Sequence, residues 1–263
     1  MSGSLRRRDV LLAGAAFASV SLSGRSDARV YGGGAPWTPG IAPGLADVPQ
    51  TIPGGDFKFF TTAEAAFIDA AVARLIPADH LGAGAKEAGV TVFLDRQLAG
   101  PYGRAERWYM QGPWHDGTKS QGYQSRLSPA ELYRAAIRFI DQHCRQQLGG
   151  KGFAELSTDQ QDSVLKEIEK GKLKIADIGP HAVEIEGAKG PDGDTFFAVL
   201  MQNTIEGFFS DPIYGGNRDM VGWKLIGFPG ARYDYRPYVE RHGEKLDLPP
   251  VGVRGRPEWK DQS

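Results

Sequence analysis

The segment SPAELYRAAIRFIDQHCRQQLGG, residues 128–150, constrains the fold most, because it carries a complete helix pattern. Ser128 is placed to cap the helix, Pro129 suits the first helical position, and Glu131 can close a capping box. The Gly-Gly pair after the apolar stripe ends the helix. Apolar residues recur at spacings of three and four, which predicts one core-facing side: Leu132, Ala136, Phe139, Ile140, Cys144 and Leu148.

Four further segments show helical periodicity. A Thr-x-x-Glu capping box opens the first, at residues 61–77, and a proline ends it. The others are expected near residues 86–98, 157–171 and 194–212, with Asp194 as the cap of the last. These patterns predict a domain in which helices supply most of the core.

Strand signals are sparse. HAVEIEG, residues 181–187, alternates over a few positions and predicts one short ribbon at most. The fold class we expect is therefore mainly α, a compact domain of about five helices with long ordered loops and a minor β ribbon at most.

The N-terminus predicts export. Arg7 and Arg8 precede a short apolar run and then small residues, which matches a twin-arginine signal peptide over residues 1–28. An ordinary secretory signal and a retained N-terminal anchor are the alternatives. Export by the twin-arginine route would place the protein in the periplasm, and this route carries proteins that have already folded.

Residues 29–56 form a Pro/Gly-rich segment that cannot be helix or central strand. It is either a flexible spacer or an extended strap along a partner, with Tyr31 and Trp37 as anchors. The helical domain is expected over residues 57–245, followed by a C-terminal tail over residues 246–263.

Motifs for chemistry are missing from the sequence. The five histidines lack metal-ligand spacing, and no nucleophile elbow, dinucleotide fingerprint or phosphate loop occurs. The single cysteine, Cys144, excludes a disulfide within the chain and every multi-cysteine haem or metal motif. It is expected to be a buried inert thiol, with a bridge to another chain as the alternative. A formal charge of -1 gives no basic field for nucleic acid. We therefore predict no catalytic residue, cofactor or metal in this chain.

The loop at residues 100–126 is long for a connector and rich in aromatics. Aromatic side chains together with arginines are the composition of protein-protein anchors. The alternative is a loop folded onto its own core. The interface candidates here are Trp108, Tyr109, Trp114 and Tyr123, beside Arg104 and Arg107.

A second unusual stretch runs over residues 206–230, EGFFSDPIYGGNRDMVGWKLIGFPG. Its Gly-Gly-Asn sequence tolerates positive φ, and three later apolar residues are expected to return to the core: Trp223, Leu225 and Phe228. Tyr214 and Asn217 are further interface candidates.

Together, FFTTAEAAFIDAAVARLIPAD, YMQGPW followed by QGYQSRLSPAELYRAAI, and the stretch at residues 206–230 resemble the gluconate 2-dehydrogenase subunit 3 family. The resemblance covers about residues 57–238. It implies a small non-flavin subunit of a membrane-associated dehydrogenase complex that faces the periplasm.

The resemblance also implies partners. A large flavin subunit would hold FAD and oxidise a sugar or sugar acid, and a multihaem cytochrome c subunit would hold haem c. The large subunit typically lacks an export signal, so the small one would carry it through the twin-arginine translocase. Contact with the membrane would be indirect, through the complex.

The sequence therefore leaves one leading hypothesis of function and two alternatives. The first is a non-catalytic subunit that binds the flavin subunit and supports its export, folding and stability. The second is a stand-alone periplasmic hydrolase using Glu206 or Asp211 with His181. The third is a ligand-binding module unrelated to redox work. The substrate of such a complex could be gluconate, glucose, fructose, sorbitol or a related compound, and this sequence does not choose among them.

Overall fold

The structure is a computed structural model that describes residues 57–112, 117–173, 193–232, 234–244, 246 and 248–253. Outside these residues lie the expected signal peptide with Arg7 and Arg8, the Pro/Gly-rich segment with Tyr31 and Trp37, and Trp114. The expected ribbon at residues 181–187, which includes His181, also lies outside them.

Six α-helices form the described part of the chain. They are α1 (Thr62–Leu75), α2 (Val90–Ala99), α3 (Pro129–Gln147), α4 (Thr158–Glu169), α5 (Gly193–Phe209) and α6 (Val221–Ile226), joined by loops and short 3₁₀ turns. β pairing within the described residues is limited to two isolated bridges, Asp79 with Gly82 and Gly230 with Val251. The mainly α fold class is confirmed.

Capping boxes start the helices where the sequence predicts them. At α1, the Glu64 carboxylate accepts the Thr61 amide at 2.8 Å and the Thr61 hydroxyl accepts the Glu64 amide at 3.3 Å. Ser128 with Glu131, and Ser157 with Gln160, form the same reciprocal pair at α3 and α4. Each box satisfies two amides that a helix N-terminus would leave unbonded.

Two predicted helix starts differ from the structure. α2 begins at Val90 rather than Lys86, because Gly89 has a left-handed φ of 77° that interrupts the helical backbone. α5 begins at Gly193, so Asp194 lies in the first helical turn and is not the cap. Asp194 can still stabilise the helix, because a negative carboxylate interacts favourably with the positive N-terminal end of the helix dipole.

α5 is the central helix and packs against all five others. Its core side includes Phe196, Leu200, Thr204 and Phe208, which are buried among apolar side chains of the surrounding helices. Burial of each large apolar side chain contributes about 1.5–3 kcal/mol relative to exposure. The stripe of α3 also lies in this core, including Cys144, which confirms that the thiol is buried.

Buried carboxylates tie the segments of the domain together. Asp162 of α4 accepts two hydrogen bonds from Arg74 of α1, at 2.7 and 2.9 Å. Asp95 of α2 accepts the amides of residues 58, 59 and 60 at 2.8, 2.8 and 2.9 Å. The start of the described domain is thereby fixed to α2.

Candidate functional site

The aromatic loop, defined here as the described residues 100–112 and 117–126, is partly folded onto the core and partly exposed. The Trp108 ring lies 5.7 Å from Tyr102 and 5.0 Å from Tyr123, centroid to centroid. Tyr102 and Tyr123 pack against the core, whereas Trp108 is 38% exposed and Tyr109 81% exposed. Tyr102 and the interface candidate Tyr123 therefore fit a loop folded onto its own core, whereas Trp108 and Tyr109 remain exposed to solvent.

Hydrogen bonds to and from tyrosine hydroxyls anchor the loop. The amide nitrogen of Asn203, on α5, donates to the Tyr102 hydroxyl at 2.9 Å and to the Tyr133 hydroxyl, on α3, at 3.0 Å. The Tyr123 hydroxyl donates to the Leu127 carbonyl at 2.6 Å. The exposed side of the loop is thus connected through Tyr102 and Asn203 to helices α5 and α3.

Burial keeps these tyrosines neutral. It raises the pKa of Tyr123 to about 12, raises that of Tyr102, and raises that of Tyr133 well above its usual range. Burial disfavours the phenolate because the charged form loses its hydration. The hydroxyls therefore keep their protons to a higher pH than an exposed tyrosine would.

Positive charge accompanies the exposed aromatics. Arg104 donates to Glu106 at 2.7 Å and to the Ala99 carbonyl at 2.8 Å, which fixes it at the C-terminal end of α2. Arg107 is exposed next to Trp108. Asp95, which holds the start of the domain, lies one helical turn before Ala99 on the same side of α2. α2 therefore binds the start of the domain at its middle and Arg104 of the aromatic loop at its C-terminal end.

The glycine loop, defined here as residues 210–230, is tightly packed. Gly215 has a φ of 103°, and a Cβ at Gly216 would lie 2.2 Å from the Gly207 carbonyl oxygen. Close approach to α5 and the left-handed backbone account for these two glycines without a ligand.

Asn217 is a correction to the predicted interface. Its side chain is fully buried, donates to the Ser210 carbonyl at 2.8 Å and accepts the Gly222 amide at 2.8 Å. Its φ of 48° is one that asparagine tolerates better than most residues. Asn217 therefore shapes the loop from inside and offers no surface to a partner, whereas Tyr214 is 53% exposed.

The end of the glycine loop differs from expectation at Phe228. Trp223 is buried and donates its indole N–H to the Phe209 carbonyl at 2.8 Å, and Leu225 packs against the core. Phe228, however, remains exposed while its ring packs edge-on against Trp223 at 5.2 Å. Ile226 beside it is 56% exposed, a feature that the local sequence pattern does not signal.

Glu206 and Asp211, the acid-base residues of the hydrolase hypothesis, both accept hydrogen bonds within the chain. Asp211 accepts the Ile213 amide at 3.0 Å and the Val253 amide at 2.6 Å. Glu206 accepts the side-chain amide of Gln202 at 2.9 Å. His181, the third residue of that hypothesis, lies outside the part of the chain that the structure describes.

Two negative findings apply to the described residues. They contain no group of three or more His, Cys, Asp or Glu side chains arranged to hold a metal ion. None of their helices combines the length and the hydropathy that crossing a membrane requires.

Comparison with protein families gives a direct result. The profile of the gluconate 2-dehydrogenase subunit 3 family matches residues 62–230, which is more than half of the chain. The chain belongs to the gluconate 2-dehydrogenase subunit 3 family. Comparison with curated proteins and with solved structures gives no significant match.

Membership of the subunit 3 family implies that this chain is one component of a multi-subunit gluconate dehydrogenase complex. The matched residues include all six described α-helices, the aromatic loop and the glycine loop. Residues 248–253, which also contact the glycine loop, lie beyond the match.

Proposed function

We propose that this chain is the non-catalytic small subunit of a periplasmic FAD-dependent gluconate or sugar dehydrogenase complex. It binds the large flavin subunit and supports the folding, stability and twin-arginine export of that subunit. FAD belongs to the flavin subunit and haem c to a multihaem cytochrome c subunit. The complex associates with the inner membrane, and this chain contacts the membrane only indirectly.

The observation that carries the binding role is the exposure of Trp108 and Tyr109 on an anchored loop. Large aromatic side chains and arginines dominate the energetics of protein interfaces. Because Tyr102 and Tyr123 hold the loop, little conformational entropy remains to be lost when a partner binds. The aromatic loop is therefore the docking surface for the flavin subunit.

The sequence and the family together support the export role. The twin-arginine route carries folded proteins. A twin-arginine signal on a chain that holds no cofactor is explained if a partner that holds the cofactor is exported together with it. The flavin subunit would bind to the aromatic loop in the cytoplasm, after FAD is inserted, and both would cross together.

A docking experiment tests the binding role. Tyr109→Ala removes an 81% exposed side chain, so the fold should be unaffected. We expect about 2 kcal/mol of lost binding, roughly a thirtyfold weaker affinity for the flavin subunit, measured by co-purification and titration. Leu81→Ala, at a 57% exposed apolar residue in another loop, is the matched control. Equal affinities for both variants would place the interface elsewhere.

An export experiment tests the escort role. Replacing Arg7 and Arg8 by lysines should leave the flavin subunit in the cytoplasm, as shown by fractionation and flavin fluorescence. Normal export of the flavin subunit in that strain would contradict this role. Turnover of a sugar or sugar acid by the isolated small subunit would contradict the non-catalytic assignment.

A further inference from the structure

Residues 248–253 lie against the glycine loop and form an isolated β bridge with it at Val251. Val251 forms a parallel bridge with Gly230, in which its carbonyl accepts the Ala231 amide at 2.6 Å and its amide donates to the Pro229 carbonyl at 3.3 Å. Arg232 donates to the Pro249 carbonyl. Val251 itself is buried. The segment is therefore recognised mainly through its backbone, as in strand-addition complexes.

Asp211 connects this segment to the start of the glycine loop. One carboxylate oxygen accepts the Ile213 amide at 3.0 Å, and the other accepts the Val253 amide at 2.6 Å. The same buried side chain therefore holds both the loop and the C-terminal segment.

Two glycines make the close approach possible. A Cβ on Gly230 would lie 2.2 Å from the Val251 carbonyl oxygen, which is closer than any real contact. A Cβ on Gly252 would lie 3.3 Å from the Asp211 carboxylate and 3.6 Å from Met220. Gly230 thus lets the two backbones meet, and Gly252 leaves room for the Asp211 carboxylate.

We infer that Asp211 and residues 229–232 form a binding site for an extended peptide, and that the chain's own residues 248–253 occupy it as a latch on the glycine loop. The ligand class is an extended segment in which two prolines precede a Val-Gly-Val sequence, and this sequence lies at the Asp211 carboxylate. This site lies partly beyond the family match and is independent of the proposed binding of a flavin subunit.

The latch helps to hold an unfavourable backbone conformation in the glycine loop. Asn217, Asp219 and Met220 have left-handed φ values of 48°, 56° and 55°. Such conformations persist in residues other than glycine only when the surrounding contacts enforce them. The latch donates a hydrogen bond to Asp211 before this stretch and passes close to Met220 at its end, so it helps to enforce the conformation.

Hydrogen–deuterium exchange of two truncated chains tests the inference. Ending the chain after residue 247 removes the latch, whereas ending it after residue 253 keeps the latch and is the control. We expect about tenfold faster exchange in peptides covering residues 211–222 for the shorter chain alone, with α1 to α4 unchanged. These peptides contain the Gly222 and Arg218 amides, which are bonded to Asn217 and to the Ala88 carbonyl.

A pair of glycine variants tests the same site without truncation. Gly230→Ala and Gly227→Ala both place alanine at a positive φ, 82° and 69°. Only the first meets the latch, because a Cβ at Gly227 has no atom within 4 Å. Faster exchange of the glycine loop in Gly230→Ala than in Gly227→Ala supports the latch.

A synthetic peptide of residues 246–255 provides the binding measurement. Added to the shortened chain, it should restore slow exchange in residues 211–222 in a saturable way, and a peptide with Val251→Asp should not. Unchanged loop exchange after truncation, together with equal behaviour of the two glycine variants, would overturn the inference.

Discussion

Asp95 offers the sharpest test of how this domain is held together. Its carboxylate is almost fully buried and accepts three backbone amides, from residues 58, 59 and 60, at 2.8, 2.8 and 2.9 Å. One oxygen accepts two of them and the other accepts the Lys58 amide. Asp95→Asn preserves the shape of the side chain but turns one acceptor into a donor that faces an amide.

The expected loss follows from these contacts. A hydrogen bond to a charged group contributes about 1.5–3 kcal/mol, and Asp95→Asn removes the bond to Lys58 and the charge that strengthens the other two. We expect a loss of about 2–3 kcal/mol in the free energy of unfolding. Asp95→Ala removes all three bonds, and its cost is limited to about 3–5 kcal/mol because the segment can detach and expose Phe60.

Urea and thermal denaturation measure this prediction. For a domain of this size the asparagine variant should lower the midpoint temperature by roughly 4–12 °C. Asp219→Asn is the matched control, because Asp219 is exposed and asparagine tolerates its φ of 56°. The control should stay within about 0.5 kcal/mol of the unmodified protein. If Asp95→Asn is as stable as the control, the anchoring role of Asp95 is wrong.

Two further predictions concern buried titratable groups. Burial raises the pKa of Tyr123 from 10.0 to about 12, so the folded state keeps this proton at a pH where the unfolded chain has lost it. The contribution of Tyr123 to stability is therefore fully present below about pH 10 and decreases as the pH rises toward 12. The midpoint temperature should fall less steeply over this range in Tyr123→Phe than in the unmodified protein, whereas Tyr109→Phe should behave like the unmodified protein. Burial likewise raises the pKa of Cys144 to about 11, so a thiol reagent at pH 8 should label the unfolded chain and leave the folded one unlabelled. Rapid labelling of the native protein, or a disulfide-linked dimer in non-reducing electrophoresis, would restore the alternative of a bridging cysteine.

The proposed function and the latch can fail independently. Loss of the latch alters exchange in the glycine loop of the isolated chain, whereas loss of Tyr109 alters affinity for a flavin subunit. A chain that shows the latch and binds no flavoprotein would leave the peptide site standing and require another partner for the aromatic loop. This separation matters because the family match covers the aromatic loop but not residues 248–253.

Local sequence determined the helices of this protein. A capping box joins residues three positions apart, so its hydrogen bonds can be predicted without knowledge of the fold, as at Thr61 and Ser128. The start of α2 was less predictable, because the conformation of Gly89 depends on packing against Gly215 and Arg218. The short helix α6 also depends on distant contacts, such as the bond from Trp223 to Phe209. A six-residue helix has too few internal bonds to be stable by itself.

The sequence by itself also determined which loops carry aromatics and glycines, and the family to which they belong. Only the tertiary structure decided which of those side chains face solvent. Tyr102 and Tyr123 turn inward because their hydroxyls find acceptors and donors there, whereas Tyr109 remains outside. Asn217 lies inside the loop, where Ser210 and Gly222 satisfy its side-chain amide. The pairing of Val251 with Gly230 joins segments whose contact no local pattern encodes, because it depends on the folded positions of both.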